Sequence, residues 1–83
     1  MNLRTVQEVS GDAIRERREA LKLTQMDVAM GLRALSPRLF GSVAPGYISG
    51  WERGTVPDGN TVPALAKVLK CRVGQLYREA PAE

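Results

Sequence analysis

Helix-start signals punctuate this sequence at Ser10, Thr24, Pro45 and Asn60, and no strand signal separates them. Ser10 is a side-chain cap flanked by Val9 and Ile14, the spacing of a hydrophobic staple. Ile14, Arg18 and Leu21 follow at helical spacing, and Lys22 suits the negative C-terminal end. Thr24 with Asp27 reads as a capping box opening a second helix, whose inward face is Val28, Ala29 and Leu32. Gly31 weakens that helix by up to ~1 kcal/mol relative to alanine. The helix is expected to stop at Leu35, because Ser36 precedes Pro37 and is pushed out of the helical region. Ser36 to Ala44 reads as loop, with Pro37, Gly41 and Ser42 as breakers. Pro45 fits the first position of a third helix, with Ile48 and Trp51 inward and Gly54 as its stop. Asn60 caps a fourth helix striped by Val62, Leu65, Ala66 and Leu69, with Pro63 tolerable in its first turn. A fifth short helix, roughly Val73 to Glu79, offers Val73, Leu76 and Tyr77. The expectation is an all-α chain of five helices. It forms one domain over residues 1–83, with a core at about 12–79 and flexible ends at 1–9 and 80–83.

Eighty-three residues suffice for one modest core. There is no histidine, so the usual zinc ligand sets cannot be assembled and the commonest general base is missing. Ser49 has no histidine to activate it as a nucleophile, so no enzyme, metal or cofactor is expected. A lone cysteine, Cys71, forms no internal disulfide. No apolar run approaches the ~20 residues that cross a bilayer, and Met1 to Ser10 lack the apolar stretch of a signal peptide. The expected location is the cytosol, with no membrane partner. The net charge of +3 leans towards an anionic partner.

Three segments in order carry a family resemblance: Ile14 to Gln25 (IRERREALKLTQ), Tyr47 to Gly54 (YISGWERG), and Val62 to Tyr77 with LAKVL at 65–69. Over about Asp12 to Glu79 the chain resembles the Cro and phage-repressor (XRE-like) helix-turn-helix domains. The resemblance implies a compact five-helix, lambda-repressor-like fold that binds double-stranded DNA. Its third helix would lie in the major groove and its second would point its N-terminus at the phosphate backbone. It further implies that Gln25, beside the cap Thr24, touches phosphate and braces the reading helix, and that Arg53 is a phosphate contact. Pro45, Gly46, Tyr47, Ser49 and Gly50 fall on the reading helix. Arg18 and Glu52 match a partly buried ion pair joining the first helix to the third, and Trp51 matches a core position. Cys71 falls where the family normally has a small apolar residue, which implies a small buried hydrophobe there. The implied function is that of a bacterial or phage transcription regulator, repressor-like, bound as a homodimer to a pseudo-palindromic operator. Leu76 and Tyr77 on the fifth helix are the dimer candidates, or else they close the core.

The chain also departs from that pattern. Bidentate base reading needs Arg, Lys, Asn or Gln, yet Pro45, Gly46, Ser49 and Gly50 offer none. Either the helix docks and reads little, or Gly46 and Gly50 bring its backbone close to the DNA. About nine extra residues, near Arg33 to Gly41, separate the second and third helices. Arg33 and Arg38 in this segment are candidate DNA contacts, set against a tolerated surface insertion. Leu39 and Phe40 imply that part of it packs on the core or on a partner. Thr55 to Gly59 is less basic than the family's backbone-contacting turn. Lys70 and Arg72 replace the usual Gly and Ser between the last two helices, at some cost in capping. A competing reading is an adaptor or antitoxin-like module that binds protein on the same fold.

Overall fold

The computed structural model describes residues 5–81. Five α-helices make up most of it: α1 (Gly11–Ala20), α2 (Gln25–Leu35), α3 (Pro37–Phe40), α4 (Pro45–Glu52) and α5 (Thr61–Val68). A single 3-10 turn, Val73–Leu76, follows α5. A two-stranded antiparallel ribbon joins β1 (Thr5–Val9) to β2 (Tyr77–Pro81), with Val6 opposite Ala80 and Val9 opposite Tyr77.

Local chemistry explains the helix limits. The Ser10 hydroxyl accepts from Ala13 N at 3.1 Å and starts α1. At the start of α2 the Thr24 hydroxyl accepts from Asp27 N while Thr24 N donates to Asp27 Oδ2, completing the capping box. α1, α4 and α5 all end in the same way. Leu23 N reaches Arg18 O, Thr55 N reaches Gly50 O, and Cys71 N reaches Ala66 O, each bond closing the last turn over a residue of positive φ. Those residues are Lys22 (φ 58), Gly54 (φ 118) and Lys70 (φ 55), so two lysines hold a conformation that glycine adopts more readily.

Ile14, Val28, Leu32, Ile48, Leu65, Leu69 and Leu76 are fully buried, joined by Phe40, Trp51 and Val62. Burying each such side chain contributes about 1.5–3 kcal/mol before chain entropy is counted. A Cβ at Gly31 would come within 2.9 Å of Val68 Cγ1, so the glycine that weakens α2 lets α5 pack against it. Cys71 packs at the edge of this core, and burial pushes its thiol pKa up against a smaller opposing effect of Arg17. No helix among the described residues is long and apolar enough to cross a membrane.

Four expectations are corrected. First, Thr5–Val9 is not a flexible end but a strand, paired with a second strand where none was expected; residues 1–4 and 82–83 lie outside the described part. Second, the expected helix over Val73 to Glu79 is one 3-10 turn, because Tyr77 leaves it to pair with Val9. Third, the expected loop over 36–44 contains α3. Ser36 caps it through Leu39 N at 3.3 Å, Pro37 takes its first position, and Phe40 is drawn into the core. Fourth, Asn60 makes no side-chain cap on α5. Asp58 does so instead, its Oδ1 accepting from Thr61 N and Thr61 Oγ1 at 3.1 and 2.8 Å.

Candidate nucleic-acid interface

α4 is held against the rest of the chain by its inward side. Ile48, Trp51 and Glu52 are buried, and Glu52 is a carboxylate in the core. Such a charge is tolerable only when paired and hydrogen-bonded. Arg18 Nε and Nη2 donate to its two oxygens at 2.6 and 3.1 Å, and Gln25 Nε2 donates at 3.2 Å. Arg18 Nη1 donates to Leu23 O at 2.9 Å, so the guanidinium also fixes the turn between α1 and α2. The hydrogen bond to Glu52, working against desolvation, holds Arg18 more firmly protonated than an ordinary arginine. Among the described residues no buried side-chain nitrogen or oxygen lacks a hydrogen-bond partner. The ion pair expected from the resemblance is therefore a three-residue junction, with Gln25 as its third member.

A second tie lies at the other end of α2. Arg33 Nε donates to Val43 O at 2.8 Å, just before α4 begins. α2 is thus tied at its start to α4, Gln25 to Glu52, and at its end to the segment leading into α4, Arg33 to Val43. The long connection between the helices does not leave α4 loose. Arg33, expected as a DNA contact, spends its Nε on this brace. Phe40, buried below α3, anchors the middle of the same connection.

The remaining residues expected at the site are exposed or half-buried. Thr24 is exposed, with its hydroxyl engaged in the capping box. Pro45 is the first residue of α4, and Gly46 is exposed beside it. Tyr47 is exposed and tilted against Trp51, ring centroids 6.3 Å apart. Ser49 and Gly50 are half-buried, while Arg53 is exposed at the C-terminal end of the helix. Arg38, in α3, is exposed too. Neither Arg38 nor Arg53 has a side-chain hydrogen bond or ion-pair partner among the described residues. A Cβ at Gly46 would meet nothing within 4 Å, and one at Gly50 would only touch Thr55 at 3.7 Å. Neither glycine is required by the protein's own packing.

Leu76 is the one expected interface residue that the fold removes. It is fully buried, packed in the core of its own chain, and cannot serve a second copy as a surface residue. Tyr77 is half-buried against the same core. Two features were not anticipated from the residues. Arg17 closes the C-terminal end of α5, donating to Leu69 O at 2.8 Å and Lys70 O at 2.9 Å. A groove of about 420 Å³ beside α4 is lined by Leu39, Tyr47, Trp51, Val56 and Pro57. The carbonyls that Arg17 reaches lie 52 and 53 residues away in the chain, and the groove needs α3 and the turn after α4 to meet, so neither leaves a local signal.

Neither a curated protein nor a solved structure matches the chain. A helix-turn-helix family profile does match it over residues 14–76, spanning α1 to the 3-10 turn and containing every element that builds the junction. The chain belongs to the Cro and phage-repressor type of helix-turn-helix family, a DNA-binding, non-enzymatic family.

Proposed function

We propose that this chain is a sequence-specific transcription regulator, repressor-like, that binds a pseudo-palindromic operator as a homodimer. The observation that carries this is the pair of ties from α2, one to Glu52 in α4 and one to Val43 just before it. It presents α4 as a rigid unit with its outer face unused by the protein. On this reading Thr24 and Gln25 bring the start of α2 to a phosphate, Gln25 while holding Glu52. Arg53 and Arg38, both without side-chain partners among the described residues, neutralise further phosphates. Pro45, Gly46, Tyr47, Ser49 and Gly50 face the base edges. Side-chain readout there is confined to the Ser49 and Tyr47 hydroxyls, so Gly46 and Gly50 contribute by letting the backbone approach. Two copies on half-sites one turn, ~34 Å, apart supply the affinity that one such surface lacks.

A protein-binding adaptor or antitoxin-like module is the second reading, favoured by the mixed polar and apolar groove beside α4 with exposed Leu39 and Val56 in its lining. Selecting bound duplexes from a random-sequence pool separates the two. A two-fold symmetric enriched site supports the regulator; weak binding that enriches nothing supports the adaptor. With a selected duplex, Arg38→Ala lowers affinity and makes the salt dependence shallower by ~0.9 in log–log slope for the phosphate lost. An unchanged slope removes Arg38 from the interface.

A further inference from the structure

We propose that two copies of this chain pair through the free edge of β1, the two β1 strands running antiparallel about a two-fold axis at Gln7. The inference rests on the homodimer reading above and names the surface that reading lacks, Leu76 being sealed in the core.

Among the described residues the ribbon has two strands, so each keeps one edge of peptide groups unpaired there. A two-stranded ribbon is marginal in water by itself, whereas sheets of three or more strands are self-supporting. Here Val9 and Tyr77 pack on the core, but Val6, Gln7 and Glu8 on one strand and Arg78 and Glu79 on the other are exposed. β2 touches the helical body through Arg78, bonded to Glu16 of α1, whereas Val6, Gln7 and Glu8 of β1 make no side-chain hydrogen bond or ion pair among the described residues.

Symmetry and charge choose between the edges. In an isologous antiparallel contact the residue on the axis meets its own copy, so a charge there repels itself. An axis within the central part of β2 sets Arg78 against Arg78 or Glu79 against Glu79, and Pro81 has no N–H to donate. On β1 an axis at Gln7 is neutral, and a carboxamide can both donate to and accept from its copy. That axis also pairs all five residues, Thr5 with Val9 and Val6 with Glu8, and covers the exposed Val6. DNA fits the ribbon less well, because Glu8 and Glu79 outnumber Arg78, which is held by Glu16 at 2.7 Å. The product is a four-stranded sheet ordered β2-β1-β1-β2. A contact this small is weak in free solution, and adjacent half-sites strengthen it by holding both copies at high effective concentration.

Sedimentation of the full chain, up to its highest soluble concentration, tests this. The unmodified chain shows a monomer–dimer equilibrium. Gln7→Lys and Gln7→Glu each weaken it by about fivefold, as one like-charge cross-strand pair does. A one-to-one mixture of the two variants restores it, a recovery that local damage to β1 would not produce. In a Cys71→Ala background, Gln7→Cys closes a disulfide-linked dimer on mild oxidation, since the paired backbones come within bridging distance. Dimers unaffected by either charge variant, together with no disulfide from Gln7→Cys, overturn this surface and leave the homodimer reading standing. A chain that stays monomeric up to that concentration, with no disulfide from Gln7→Cys, also overturns this surface; a selected duplex that takes up only one copy overturns the homodimer reading as well.

Discussion

Along α4, Ile48, Trp51 and Glu52 are buried, the Glu52 carboxylate fully engaged, whereas Gly46, Tyr47 and Arg53 are exposed and, apart from the tilt of Tyr47 on Trp51, touch little of the protein. The inward side is over-determined: a carboxylate is accepted into the core because three donors from Arg18 and Gln25 surround it. The outward side is under-determined. Glycines at 46 and 50 forfeit up to ~1 kcal/mol each of helix stability relative to alanine, and the fold gets nothing in return. The difference separates residues that answer to the chain's own packing from residues that answer to something outside it.

The largest test breaks the inward side. Arg18→Ala strands Glu52 as a buried, poorly paired charge and should cost about 3–5 kcal/mol in urea unfolding. Replacing both partners, Arg18→Met with Glu52→Leu, should recover most of that loss. A double variant as unstable as Arg18→Ala would show that the junction does more than satisfy its own charges. Next, Gly54→Ala forces a side chain onto φ 118 at the end of α4 and should cost about 1–3 kcal/mol. The outward side should respond with the opposite sign. Gly46→Ala and Gly50→Ala should each raise the unfolding midpoint, by up to ~1 kcal/mol in stability, while weakening binding to a selected duplex. Stabilisation with unchanged DNA affinity would remove the close-approach role proposed for these glycines. The smallest effect sharpens the contrast by a change distant from the reading face. Lys70→Gly relieves a positive φ at the end of α5 and should stabilise by up to ~1 kcal/mol, leaving DNA affinity nearly constant.

Much of this was legible in the residues, for reasons that also explain what was missed. Caps at Ser10 and Thr24, the stop at Gly54 and the stripe on α5 are short-range signals, each complete within a few residues. α3 is hidden although Ser36-Pro37 is the same kind of start as Ala44-Pro45, because the proline that ends α2 also begins the next helix. Asp58, two residues before Asn60, takes the cap because its carboxylate reaches both the amide and the hydroxyl of Thr61. The strands left little trace. TVQEV is rich in β-branched residues but does not alternate, and no turn links it to its partner across the whole helical body. At the site, the resemblance pointed to Arg18, Glu52 and Gln25, and the geometry joins them. Recasting Arg33 as a brace required knowing where α3 folds back.

The ribbon also has a place in time. Every helix lies between β1 and β2 in the chain, so nothing local can nucleate their pairing, and the loop they close is almost the whole protein. It should therefore zip up after the helices have assembled and be the first part to open again under native conditions. The amides of the ribbon then exchange with solvent through a cheaper opening than those of α2 or α5. If two copies do meet along β1, that exchange slows as protein concentration rises, and the last-formed part of the fold reports on how many copies are bound.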